Sequence, residues 1–103
     1  MLFCTAPREA AAGLARHLVE RQLAACVNVL PALASIYRWE GAVCEEEESL
    51  LVIKTSVEAC DALVRELVAA HPYDVPEVVA VAVVTGHEPY LEWVRQSSRA
   101  AGG

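Results

Sequence analysis

Two stretches of consecutive apolar residues, Leu50–Ile53 and Val78-Val79-Ala80-Val81-Ala82-Val83-Val84, constrain this chain more than any other feature. Both fall far short of the ~20 residues that a membrane-crossing helix needs. Their Val and Ile content favours extended backbone. Successive side chains of a strand point to opposite faces, so an unbroken apolar strand is greasy on both sides. A chain of 103 residues has room for one core. Such a sheet must therefore be covered on both faces by a chain that can build only one layer.

The remaining pattern supplies that one layer. Leu2-Phe3-Cys4 reads as a short strand, followed by Thr5-Ala6-Pro7, where Thr is placed to cap a helix and Pro to sit in its first turn. Ala11, Leu14, Ala15, Leu18 and Gln22 then recur at helical spacing, opposite Arg16, His17, Glu20 and Arg21. Cys26 to Trp39 reads as a long extended segment, interrupted by Pro31, which fits an edge strand or a bulge. Glu40-Gly41 supplies turn chemistry, and the returning segment is acidic at Glu45–Glu48 before its apolar half. A second amphipathic helix is predicted over 57–70, stopped by His71-Pro72. Val78 to Val84 forms a fourth strand closed by Thr85-Gly86, and a short last helix carries Tyr90, Trp93 and Val94 on one face.

The order βαββαβ with a C-terminal helix predicts an α+β, ferredoxin-like domain with a four-stranded antiparallel sheet and both long helices on one face. Residues 1–96 are expected to form a single domain and 97–103 a flexible tail. The apolar residues left on the other face imply that further copies of the chain cover it.

The charge balance, 14 acidic against eight basic residues for a net −6, repels a phosphate backbone, so no nucleic-acid partner is expected. No basic region followed by a sustained apolar core lies near Met1, and no membrane segment is predicted. Cys4, Cys26, Cys44 and Cys60 form no C-x-x-C pair and read as reduced thiols. A cytoplasmic location follows.

The same topology brings the first strand and the end of the second helix to one edge of the sheet, and with them Cys4 and His71. Thiolate and imidazole suit copper or zinc. A third ligand would come from Asp74, Glu77 or a neighbouring copy. The same two residues also read as a small buried hydrophobe and a helix-terminating imidazole. Without an oxyanion-forming glycine turn, a phosphate loop or a catalytic signature, no enzymatic activity is expected. Glu45–Glu48 lacks the turned loop of a calcium site and reads as a solvated arm. His17 and His87 read as solvated. Tyr37 and Trp39, near the hairpin tip, suit interface anchoring. Tyr73-Asp74-Val75-Pro76-Glu77 reads as a rigid loop delivering the fourth strand; the alternative reading sets its polar groups along a cleft between protomers.

Six segments add a family likeness. They are Thr5-Ala6-Pro7, Leu23 to Asn28, Ser35 to Gly41, Lys54-Thr55, His71 to Glu77 and Tyr90 to Trp93. In this order and spacing the chain resembles the CutA divalent-cation tolerance family over residues 2–96. The resemblance implies a homotrimer of ferredoxin-like protomers, a role in tolerance of divalent metals, and binding of a copper ion or another divalent cation. The family's proposed copper ligands are a Cys before Thr-Ala-Pro and two consecutive His before Pro. Cys4 and His71 match the first Cys and the second His, but Ala70 stands where the other His is expected. The expected function is a trimeric metal-tolerance protein that binds copper weakly. The alternative is a trimeric signalling or scaffold protein, similar in outline to PII-type regulators. It would bind a small molecule or partner protein in inter-subunit clefts near Tyr37, Trp39, Lys54, Asp74 and Glu77.

Overall fold

The computed structural model describes residues 1–99. Its elements run β1 (Leu2–Ala6), α1 (Arg8–Glu20), β2 (Cys26–Trp39), β3 (Ala42–Lys54), α2 (Val57–Ala70), β4 (Val78–Ala80) and α3 (Glu88–Ser97). The four strands form one sheet in the order β2-β3-β1-β4, and every neighbouring pair is antiparallel. This is the expected ferredoxin-like arrangement.

Strand parity decides which side chains meet the helices. Leu2, Cys4 and Ala6 of β1, with Leu51 and Ile53 of β3, are fully buried and share one core with Leu14 and Leu18 of α1 and Leu63 and Leu67 of α2. The alternate residues, Phe3 and Thr5 paired with Val52 and Leu50, face the other way and are only half-buried. Leu30, Val79 and Val81 leave 45%, 50% and 44% of their surface exposed. The helix-free face is therefore apolar and open, as the unbroken apolar strands require.

Pro31 sits where the β2–β3 register slips between Leu30 and Leu33, so Pro31 and Ala32 together oppose Ser49. The bulge lies on an edge strand, which tolerates the missing proline N–H. Ser49 Oγ donates to the Pro31 carbonyl at 2.8 Å and satisfies an acceptor that the ladder leaves free. Beyond this point β1 has ended, and residues 33–39 pair with 42–48 alone. Seven residue pairs at about 3.3 Å per residue make an arm roughly 20 Å long. Its tip is the two-residue turn Glu40-Gly41, with φ of +51° and +81°, as a type I′ hairpin requires.

Three expectations change in the structure. Thr5 caps no helix, because β1 continues through Ala6 and pairs Thr5 with Leu50; Pro7 takes the cap position of α1 without any side-chain hydrogen bond. Gln22 lies outside α1, at φ +60°, where the chain turns toward β2. The fourth strand spans Val78–Ala80 rather than reaching Val84. Val81 still exchanges hydrogen bonds with Met1, its amide at 2.8 Å and its carbonyl at 3.1 Å, and among the described residues the pairing goes no further.

The expected boundary at residue 96 falls inside α3. Ser98 is buried, and the Arg99 amide donates to the Gln22 carbonyl at 2.9 Å. Residues 100–103 of the expected tail lie outside the described residues.

Ser98 also joins α3 to α2. Ser56, the N-cap of α2, accepts from the Ala59 amide at 3.3 Å and donates to the Ser98 carbonyl at 2.6 Å, while its own amide donates to Ser98 Oγ at 3.0 Å. Ser56→Ala removes a cap and one further hydrogen bond, so it is expected to destabilise the fold by about 2 kcal/mol in urea unfolding. Amide exchange should accelerate at residues 57–59 and at Arg99 together, and acceleration at the α2 end alone would show that α3 is held by other contacts.

Candidate functional site

The end of α2 returns the chain to the middle of the sheet, and the turn is made by His71-Pro72. Proline disfavours helical backbone at the preceding residue, and His71 is extended at φ −73° and ψ 139°. This conformation helps carry the imidazole back over β1. His71 Nε2 lies 2.8 Å from the Thr5 carbonyl oxygen, and the Tyr73 amide donates to His71 Nδ1 at 3.1 Å. The His71 and Tyr73 rings pack at a centroid distance of 4.8 Å. Thr5 is one residue past Cys4, the last β1 residue paired with β4, so the imidazole serves a carbonyl beyond the end of that ladder.

Cys4 reaches the same oxygen from its own strand. Its thiol donates to the Thr5 carbonyl at 3.5 Å from a fully buried position. Burial first, and then the carboxylates of Glu77 and Glu48, push the Cys4 thiol from 9.0 up to about 12. The group is thus a protonated thiol at neutral pH. Cys4 and His71 do converge, as the topology predicted, on one shared carbonyl oxygen.

From this knot the network continues to the root of the arm. Tyr73 donates its hydroxyl to Glu48 Oε2 at 2.8 Å, and Glu48 is only 6% exposed. Burial and the hydrogen bond to Glu48 raise the pKa of Tyr73 above that of an ordinary phenol. Two residue pairs further out, Tyr37 donates to Glu46, and that bond pushes Tyr37 from 10.0 up to about 12. Two phenol–carboxylate pairs therefore line one face of the hairpin.

The remaining candidates lie apart from one another within the protomer. Trp39 is half-exposed at the arm tip, and Asp74 is exposed in the loop after α2. Glu77 is exposed directly before β4, whose first residue Val78 pairs with Cys4. Lys54 ends β3 far from the arm, where it lines an apolar groove of roughly 790 Å³ with Thr55, Ala80, Val83 and Tyr90. His17 is not simply solvated; its Nε2 lies 3.0 Å from Glu66 Oε1 and links α1 to α2. Sequence reading missed Glu48 and Tyr73 as partners. Glu48 closes a run of four glutamates that looks uniformly solvated, and only the pairing of β1 shows that the run ends where the sheet begins.

The donors fit a resident metal poorly. Both His71 ring nitrogens already have partners, and Cys4 holds its proton. Among the described residues, no group of three or more His, Cys, Asp or Glu is placed to hold a metal ion.

A split βαβ protomer with a hairpin arm and a buried Cys–His–Tyr–Glu network is the class that the fold and site define. The family model described as CutA1 divalent ion tolerance protein matches residues 1–97. The chain belongs to this CutA family. It is 45% identical over 98 residues to the divalent-cation tolerance protein CutA of Thermus thermophilus, covering 95% of each chain. It is 47% identical over 95 residues to the human Protein CutA, but spans only 53% of that relative's length. Among solved structures it matches the Thermus thermophilus divalent cation tolerance protein with a TM-score of 0.91 at 46% identity, covering 94% and 95% of the two chains. It matches the PII-like protein CutA of Nostoc sp. PCC 7120 with a TM-score of 0.91 at 33% identity, covering 95% of both.

The buried thiol yields a pH dependence. Unfolded Cys4 loses its proton near 9.0 and folded Cys4 near 12, so folding opposes ionisation and stability falls as pH rises between those values. Cys4→Ala is expected to flatten urea-midpoint profiles above pH 9, leaving the decline that Tyr73 contributes at higher pH. Parallel profiles for the two proteins would show that the thiol ionises as freely folded as unfolded.

Proposed function

We propose that the chain works as a homotrimer in divalent-cation tolerance, as a binding protein and not as a catalyst. The observation that carries this reading is a pair of unfinished backbone edges. Among the described residues, the arm, 33–39 with 42–48, pairs with no third strand, and the valine run beyond Ala80 keeps only the Val81–Met1 hydrogen bonds. A two-stranded ribbon is marginal in water. Exposed strand edges with apolar side chains invite pairing with another chain. Ile36, Val43 and Trp39 on the arm are 67%, 68% and 50% exposed, and Val79, Val81 and Val83 are 50%, 44% and 48% exposed. An arm laid on a neighbour's valine run joins two different surfaces, and such head-to-tail contacts make a ring where the rotation between copies closes. Three is the ring size that the family resemblance implies.

Divalent cations, copper included, are held weakly and exchangeably in this reading, by exposed carboxylates such as Glu45–Glu47. The Cys4–His71 pair is already engaged within the protein. Four free cysteines with no disulfide fit a reducing compartment such as the cytoplasm. No helix among the described residues is long and apolar enough to cross a membrane.

A second function in the same assembly rests on the two phenol–carboxylate pairs, Tyr37–Glu46 and Tyr73–Glu48. They mark the arm root as a polar-lined cleft once a neighbour covers it, the kind of site in which a small ligand or partner protein is recognised. The PII-like neighbour from Nostoc accords with a signalling role of this type.

Sedimentation equilibrium at micromolar concentration is expected to give three times the chain mass. Val81→Asp, which sets a charge in the apolar edge, should shift the population to monomer by at least tenfold; a wild-type monomer overturns the trimer. In an NMR screen of charged metabolites, a cleft ligand should shift Tyr37, Trp39, Lys54 and Glu77 together, while copper alone shifts only arm residues beside Glu45–Glu47 and leaves Lys54 and Glu77 in place. Shifts at Lys54 and Glu77 with copper alone would favour a metal site over the cleft.

A further inference from the structure

We propose that His71 is a clip locked in one tautomer, fastening the 71–77 loop to β1, and that the Cys4–His71 pair takes no metal in the folded protein. The hydrogen bonds assign the proton. A backbone amide only donates, so Nδ1, which faces the Tyr73 amide at 3.1 Å, carries a lone pair. A carbonyl only accepts, so Nε2, 2.8 Å from the Thr5 oxygen, carries the hydrogen. The neutral Nε2–H form satisfies both partners. Imidazolium would set a hydrogen on Nδ1 against the Tyr73 amide, and the other neutral tautomer would turn a lone pair toward the Thr5 carbonyl.

A metal requires an in-plane lone pair, and the only one on this ring is taken. Freeing it means turning a 7% exposed ring out of two hydrogen bonds and off the Tyr73 ring at 4.8 Å. It also strips the Thr5 carbonyl of a donor at a position beyond the β1–β4 ladder. Cys4 adds a second obstacle, since its thiol donates to the same carbonyl and its side chain is fully buried among Leu2, Ala6, Leu51 and the helices. The two residues share an oxygen, and a cation between them would have to displace both donors.

The clip has a structural consequence. Fixing the Tyr73 backbone positions the phenol that donates to Glu48 at 2.8 Å, so His71 acts through Tyr73 on a buried carboxylate at the arm root. His71 is therefore a positioning residue for the region between sheet and arm. This inference holds whatever the cleft binds and whether three chains or one make up the particle.

Long-range ¹H–¹⁵N spectra of the full chain, with and without excess Cu(I) or Zn(II), test it. His71 is expected to show a protonated Nε2 and a bare Nδ1, unchanged by either metal. In His71→Ala the Tyr73 amide should exchange roughly tenfold faster or more, as loss of one hydrogen bond implies. His71→Asn, whose side-chain oxygen can stand in for Nδ1, should restore most of that protection. A metal-dependent change in the His71 nitrogens, accompanied by thiolate-to-metal absorption that Cys4→Ser abolishes, overturns the proposal. So does wild-type protection at Tyr73 in His71→Ala.

Discussion

The structure turns on β3 being longer than the strand beside it. Leu51 and Ile53 sit between β2 and β1 and bury their side chains under both helices. Seven residues earlier in the same strand, from Ala42 to Glu48, have β2 alone for company, because β1 ends at Ala6 opposite Ser49. One strand thus serves as sheet centre and as half of a projecting arm. The change of role takes place between Glu48 and Ser49, and the surrounding chemistry answers to it. Ser49 satisfies the bulge at Pro31, Glu48 receives a phenol from Tyr73, and Tyr73 is placed by His71.

That arrangement bears on how a member of the CutA family would meet a cation. A preformed soft-metal centre needs deprotonated sulfur and free imidazole nitrogen. Here burial keeps the sulfur protonated, and the imidazole spends both nitrogens on the backbone. The family relation is secure from the match over residues 1–97, and the chain holds it with both partners of the Cys4–His71 pair already engaged within the protein. Ala70, in place of a second histidine, is consistent with a site kept for structure.

Much of the architecture was legible because it depends on local pattern. The bounds of α2, the Glu40-Gly41 turn and the break at Pro31 follow from helical periodicity, left-handed turn geometry and a missing amide hydrogen. Thr5 and Gln22 were misplaced for a different reason. Each is locally a good helix-end residue, but β1 claims Thr5 for pairing with Leu50 and the exit toward β2 draws Gln22 into a left-handed turn. The valine run misleads in the same way. Its composition favours strand throughout, yet a strand requires a partner, and among the described residues the pairing stops at Val81 opposite Met1. At the site, the meeting of Cys4 and His71 followed from topology alone, whereas the state of each group did not.

The sequence by itself determined the order of elements, the single core and an apolar second face, because these depend on residue type and spacing. Tertiary structure decided where pairing stops, which glutamate of four is buried, and which His71 nitrogen carries the proton. Those outcomes depend on which backbone groups lie opposite one another across long separations, such as the 66 residues between Thr5 and His71. Spacing along the chain does not encode that geometry; the packed sheet creates it.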